Sequence, residues 1–421
     1  MAASGTKTII VIGAGIAGVC CALALREDGH DVLMVDQNGP GEGCSSGNAG
    51  QFNVGSSLPI SMPGMLFQVP RWLMDPTGPL AVRWHYLPKA LPWLIRWIRA
   101  GLRDRVPGYA VTLRALHANC IDLYRQWLGT EGTADLLRFA GHLYVWESTE
   151  RSALDLLSEA LREANGIRSV VLDSAAIRDI EPALAPIFQR GLYFPDNGHT
   201  VNPQRLVQTL AEHYVAAGGV LQRRTVTGFD CGPEGVRAVL TDAERLPCDI
   251  AVLAAGAWSR GLAAKLGTNL PLETERGYHA MLPSPEIQLR VPVSNAERTF
   301  VLTPMELGMR LAGTVEIGGL TAPPDYARAR ILITQAARMV PGLNSHGAAL
   351  WMGFRPSFPD SLPVIDRAKG VPNAYLAFGH GHTGISGAPM TGRLIADMIS
   401  GRPPTIDTSP FRASRFHSHG N

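Results

Sequence analysis

Apolar residues run without interruption from Ile9 to Leu25. Two readings compete for such a run. One is a leader or membrane segment after Lys7, in which Ala22-Leu23-Ala24 imitates a cleavage site. The other is a folded unit punctuated by glycine, and the regular placing of Gly13, Gly15 and Gly18 favours it. Thr8 to Ile12 is wholly β-branched, as suits a strand buried on both faces. A helix is predicted to follow the glycines to about Asp28, with Gly29 at its end. Val32 to Val35 is the next strand, ending at Asp36.

Gly41 to Ser57, GEGCSSGNAGQFNVGSS, is too polar and glycine-rich for a strand and reads as a loop threading past a ligand. From about 60 to 165 the apolar spacing is mainly helical, as in LPWLIRWIRAGL and LRALHANCIDLYRQWLG. NPQRLVQTLAEHYVAAGG predicts a helix closed by Gly218-Gly219. Val220 to Leu240 predicts short strands, and CDIAVLAAGAWS a buried strand ending in a glycine turn. Short β patterns fill 272–320, DYARARILITQAARMVPG is helical, and the stretch from Asn373 to Gly401 is strand, Gly/His turn and helix. The order implies an α/β fold of the two-domain, α+β kind. A Rossmann-like nucleotide domain is expected from 1–60, 165–270 and 340–421. A substrate or cap domain with an antiparallel sheet and helices is expected from 61–164 and 271–339.

Composition narrows the function. Charged residues make up only 18% of the chain, below the usual share of about 25%, so a large core can be buried. A net charge of +2 gives no footprint for nucleic acid. The six cysteines form no CxxC pair, and no metal site is expected.

The glycine pattern carries chemistry. In a strand–GxGxxG–helix unit Gly13 permits the turn, Gly15 lets the backbone approach a pyrophosphate and Gly18 lets helix pack on strand. The helix N-terminus turns free N–H groups and a positive dipole end to the phosphates. Asp36 lies about 18 residues beyond Gly18, near the spacing of a ribose-binding carboxylate. Dinucleotide binding follows.

Motifs further along resemble one family. VIGAGIAG with Asp36, SSGNAGQ, RRTVTGF, VLAAGAWS, RGYH, GFRPSFPDSLPVID, FGHGHTGISGAPMTGRLIADMISG and SPFRASRF occur in the order found in the FAD-dependent D-amino-acid oxidase superfamily, and are most like its bacterial D-amino acid dehydrogenases. The resemblance implies FAD, held by Gly13, Ala14, Gly15, Ile16 and Gly18 at the pyrophosphate. Asp36 would meet the ribose, where the family more often has Glu, and Gln37 would lie near the adenine. Ser45 and Ser46 would touch phosphate or ribityl oxygens, and Ala49, Gly50 and Gln51 would run beside the isoalloxazine. Val226, Ala255, Gly256 and Trp258 would close over the nucleotide. Gly379, His380, Gly381, His382, Thr383 and Gly384 would free the backbone at a helix start facing the flavin N1/C2=O edge. Gly353 stands where monomeric sarcosine oxidases carry a flavin-attaching cysteine, so non-covalent FAD is expected.

The implied reaction is oxidative deamination of a D-amino acid, with hydride leaving Cα for flavin N5 and an imine or 2-oxo acid as product. Cyclic substrates such as D-proline or cis-4-hydroxy-D-proline belong to some relatives. Such a substrate needs a carboxylate clamp, and Arg355, between Phe354 and Pro356, is the candidate. Its plain structural alternative is an ion pair with Asp360 or Asp366. Arg310 is a rival, expected instead on a strand pairing with Glu316. Tyr278 is expected to bond the carboxylate or amine, and His279 to accept a proton. Their alternative is a core strand. Glu275 and Arg276 read as solvated charges. Two other functions remain open: a sarcosine- or glycine-oxidase-like amine oxidase, and a non-catalytic FAD-binding subunit. The expected electron acceptor is a quinone or respiratory-chain component. A cytoplasmic protein is expected. The Trp- and Arg-rich stretch from Pro70 to Arg99 reads as a cap over the substrate or, alternatively, as a peripheral contact with the inner membrane face.

Overall fold

The computed structural model describes residues 5–55, 58–75 and 77–416. The last two residues of the Gly41–Ser57 stretch lie outside them. Thr8–Ile12 sits between strands Asp31–Asp36 and Ile250–Leu253, parallel to both. Val220–Arg223 extends one side and Val371–Phe378 the other, again in parallel. Val364–Ala368 adds an antiparallel edge, making six strands. Ile9 and Val11 face helices Ile16–Glu27, Pro203–Ala216 and Gly384–Ser400, while Ile10 and Ile12 face a three-stranded antiparallel sheet through Val236, Val239 and Leu246. Cover on both faces explains a strand with no polar alternation. The apolar run from Ile9 to Leu25 is thus one core strand and most of one core helix.

A second sheet has nine strands. Its path runs Ala349–Ser357, Glu273–Leu282, Gly308–Ile317, Phe300–Met305, Val293–Asn295, His142–Trp146, Arg190–Phe194 and Val170–Asp173, and Leu80–Val82 joins beside Gly308–Ile317. Three of these strands come from segments expected in the nucleotide domain. Val170–Asp173 and Arg190–Phe194 pair outward from His142–Trp146, and Ala349–Ser357 pairs with Glu273–Leu282. The reverse holds for helices Val106–His117 and Cys120–Leu136. They lie within 61–164, yet Leu116 and Tyr124 share one apolar cluster with Val19 and Ile385 on the nucleotide side. The stretch LRALHANCIDLYRQWLG is two helices, broken at Ala118 and Asn119. Local periodicity gives an element its type but not its long-range partner.

Ala349–Ser357 is an end strand of the large sheet. That position tolerates Pro356, which has no N–H to donate to a second neighbour.

Candidate active site

A cavity of about 560 Å³ opens at the C-terminal ends of the parallel strands. Gly13, Ala14, Gly15 and Ile16 line it, with Asp36 and Gln37 from the end of the second strand. Gly13 has φ +112°, and a Cβ there would fall 2.4 Å from the Ala254 carbonyl oxygen. Gly18 does not reach the cavity. Its missing side chain lets helix meet strand, since a Cβ would stand 1.8 Å from the Gly13 carbonyl oxygen. Asp36 accepts N–H bonds from Ala14 and Asn38, each at 2.7 Å. Burial pushes its carboxyl pKa up further than those bonds pull it down.

Ser45 lines the same space and its Oγ accepts from the Ile16 N–H at 3.0 Å. Ser46 does not line it; its hydroxyl donates to the Gly43 carbonyl at 2.9 Å. Val226, Ala255, Gly256 and Trp258 form one wall, and Gly379, His380, Gly381 and Gly384 another. His380 Nε2 lies 2.8 Å from Thr391 Oγ1, and burial lowers its pKa to about 4. Thr383 lines neither large cavity and donates to the His380 carbonyl at 3.3 Å.

Two helix starts meet this cavity, at Gly15 before Ile16–Glu27 and at Thr383 before Gly384–Ser400. Neither carries a side-chain cap from its own N-cap residue or an acid in its first turn. Apart from the Ile16 N–H, which Ser45 accepts, N–H groups of the first turns and positive dipole ends beside a glycine-walled slot suit anionic and electron-rich groups. The residues fit FAD.

A second cavity, of about 680 Å³, shares Cys44, Asn48 and Gly381 with the first. Arg355, Glu275, His382 and Trp351 lie in its wall. Arg355 donates to the Thr314 carbonyl at 3.1 Å. Among the described residues no carboxylate stands within ion-pair distance of it. The two acids expected as alternatives are occupied: Asp360 holds Arg415 at 2.7 Å, and Asp366 accepts the Ala413 N–H at 2.8 Å. Burial lowers the Arg355 pKa, against the pull of Cys44 and Glu275.

Glu275 was legible only as a solvated charge, and the structure overturns that. It is buried, and its Oε2 lies 2.7 Å from His382 Nε2 and 2.9 Å from the Ser357 hydroxyl. Burial favours its neutral form, but His382, Ser357 and Arg355 outweigh burial and hold its pKa below the usual range. In the antiparallel register Glu275 stands directly opposite Arg355. Arg276 is 0% exposed and pairs with Glu316 at 2.9 Å. A strand flanked on both sides leaves neither charge in water.

Three further expectations are corrected. Tyr278 is 1% exposed and lies outside both cavities. Its hydroxyl bonds Glu316 at 2.5 Å and accepts the Asp325 N–H at 3.0 Å, which leaves nothing for a substrate. His279 stacks on Trp351, ring centres 4.8 Å apart, with Nδ1 3.2 Å from the Gly47 carbonyl. Burial first, then Arg310, lower its pKa to about 3, so it cannot keep a proton near neutrality. Arg310 does not pair with Glu316. It donates to the Ser46 and Asn48 carbonyls at 2.8 and 2.5 Å and pins the glycine-rich loop.

Ala49 and Gln51 line the second cavity, as does His382, while Gly50 and Gly353 line neither. The Trp351 indole covers Gly353 so closely that a Cβ there would lie 1.9 Å from the ring. Cys44, Asn48, Trp351 and Glu275 escaped sequence reasoning. Only the strand partnership between Arg355 and Glu275 would have pointed to the last.

A dinucleotide slot that joins a second cavity is the arrangement of a nucleotide-cofactor oxidoreductase. A family model for FAD-dependent oxidoreductases, DAO, matches residues 8–398, and the chain belongs to that family. FAD is its cofactor, and amine groups are the bonds it oxidises. The chain is 39% identical over 417 residues to a D-amino-acid oxidase of Bradyrhizobium diazoefficiens, covering 97% of this chain and 99% of that protein. It is 31% identical over 427 residues to a D-amino acid dehydrogenase of Rhizobium johnstonii, with 97% and 99% covered. Glycine oxidase from Geobacillus kaustophilus has the same fold, with a TM-score of 0.74, 23% identity and coverage of 98% and 99%.

Proposed function

We propose that this protein oxidises the α-amine of a D-amino acid to an imine, which water converts to a 2-oxo acid and ammonia. The observation that carries this reading is Arg355, a cation in the cavity wall with no carboxylate of its own. Its guanidinium would take the substrate carboxylate through two charge-assisted bonds. Glu275, held ionised opposite it, would face the substrate ammonium. His382 Nε2, 2.7 Å from Glu275, would donate its N–H to that carboxylate and hold it there, while the amine would lose its proton to water before oxidation. FAD, when bound, supplies the acceptor for the Cα hydrogen and two electrons. Gly13, Gly15, Asp36 and the helix start at Gly384 would hold it without a covalent bond.

The D configuration rests on the relatives' names and not on the cavity. Anaerobic mixing with D- and L-amino acids, D-proline, cis-4-hydroxy-D-proline and sarcosine, read by flavin bleaching, tests the reading. Bleaching by L-amino acids alone would overturn it. Preference for sarcosine or glycine would support the small-amine alternative. Absence of bleaching by every amine would leave a non-catalytic FAD-binding subunit.

The relatives divide between oxidase and dehydrogenase names. Turnover in air against turnover with a soluble quinone decides the electron acceptor. Helices Met65–Met74 and Leu87–Ala100 cap the larger cavity through Val69, Trp72, Trp93 and Trp97. On the outer side of the cap, Leu91 and Ile95 are exposed beside Lys89 and Arg96, and Trp84 is exposed at the cavity's edge. Among the described residues no helix is long and apolar enough to cross a membrane. A cytoplasmic protein touching the inner membrane face through this patch is the matching proposal. Failure to sediment with anionic vesicles at low salt would rule out the contact.

A further inference from the structure

The larger cavity has a second cation, Arg162, on helix Ala153–Ala164. Its guanidinium carbon lies 5.1 Å from the centre of the Phe194 ring and 5.9 Å from that of Tyr144. Its Nε is buried without a hydrogen-bond partner, and among the described residues no carboxylate forms an ion pair with it. The acids nearest in the wall are already engaged. Asp155 holds Arg190 at 3.1 Å and the Ser152 N–H at 3.0 Å. Glu159 pairs with Arg151 and lies 3.6 Å from Arg190. Three guanidiniums thus share two carboxylates, and the surplus charge is on Arg162. Asn295 lines the same cavity. Its Oδ1 accepts the Arg298 N–H at 2.9 Å, while its buried amide nitrogen has no acceptor.

The two arginines are far apart in the sheet. Arg355 is bonded to the strand Gly308–Ile317, and Arg162 lies over Tyr144 in His142–Trp146. Phe300–Met305 and Val293–Asn295 stand between those strands. At least three strand steps of about 4.8 Å separate the two cations, which puts them on the order of 15 Å or more apart. A carboxylate at Arg355 therefore leaves room for more chain than aspartate or glutamate has before a second anion meets Arg162. The Trp72, Trp93 and Trp97 side chains of the cap give the same cavity an apolar wall.

We infer that Arg162, with Asn295, binds an acidic group at the far end of a long side chain, so that the preferred substrates are D-amino acids carrying a second carboxylate several bonds from Cα. This rests on the D-amino acid oxidation proposed above. Long unbranched α-amino diacids are the simplest members of the class.

The test uses FAD-loaded full-length protein and the D isomers of glutamate, 2-aminoadipate, 2-aminopimelate and 2-aminosuberate, with neutral D-norleucine as reference. kcat/KM should climb along the diacid series and pass that of D-norleucine. Arg162→Gln should cut kcat/KM for the longest diacids about 10–100-fold, as loss of a charged hydrogen bond implies. It should leave D-norleucine turnover and flavin content unchanged, and Arg162→Lys should recover part of the loss. Wild-type protein that favours D-norleucine over every diacid overturns the inference while leaving D-amino acid oxidation intact. An equal loss on both substrate types in Arg162→Gln also overturns it. Failure to oxidise any D-amino acid removes both readings.

Discussion

At the scale of single residues, the site turns on a pair that the sheet register brings together. Arg355 and Glu275 face each other across two antiparallel strands, yet no ion-pair distance separates them. Arg355 is therefore free for an incoming anion, while Glu275 is engaged by His382 and Ser357. Arg355→Met should raise KM by the equivalent of about 1.5–3 kcal/mol, the worth of hydrogen bonds to a charged group, and should leave flavin bound. An unchanged KM would remove Arg355 from the substrate site. Gly353 and the cavity walls present no cysteine sulfur beyond Cys44, whose thiol burial pushes up to about 11. A neutral thiol is a poor nucleophile. Acid precipitation should accordingly release all the flavin into the supernatant, and flavin retained in the pellet would show a covalent bond.

At the scale of elements, two helices carry the nucleotide end, and their contact depends on small residues. Helix Gly384–Ser400 crosses Ile16–Glu27 at Gly392, where a Cβ would stand 2.4 Å from the Cys20 carbonyl oxygen. Backbone cannot yield as a side chain does. Gly392→Val should cost about 1–3 kcal/mol, the usual penalty of overpacking, read as a lower urea midpoint with reduced flavin content. A midpoint equal to wild type would show that the helices can part without loss. The same helices were the easiest elements to read. The second was expected as the helix that ends the Asn373–Gly401 stretch, and it spans Gly384–Ser400. Its Gly/His turn and its apolar spacing are both local signals. Strand Glu273–Leu282 was harder. Its charges at 275 and 276 suggested solvent, but two flanking strands and the cavity wall bury them.

At the scale of the whole molecule, several histidines sit neutral in the interior. Burial lowers the pKa of His117, His142 and His279 to about 3 and that of His380 to about 4. In the unfolded chain these rings titrate near about 6.5. Below that pH the unfolded state binds protons that the fold refuses, so stability is full above it and falls as acid is added. The urea midpoint should drop between about pH 7 and about pH 5. A flat profile over that window would mean that the folded protein protonates these rings as readily as the unfolded chain does. The two cavities are also a property of the whole, since they meet at Cys44, Asn48 and Gly381, from opposite ends of the chain. The sequence alone determined the nucleotide unit, because Gly13, Gly15, Gly18 and Asp36 act through turns and helix ends that form within some thirty residues. It also exposed Arg355, because a cation among Phe and Pro is anomalous wherever it folds. Only the tertiary structure decided what surrounds that cation. Strand partners are chosen by burial across long stretches of chain, and that choice turned Tyr278 toward Glu316, neutralised His279 and set Glu275 opposite Arg355.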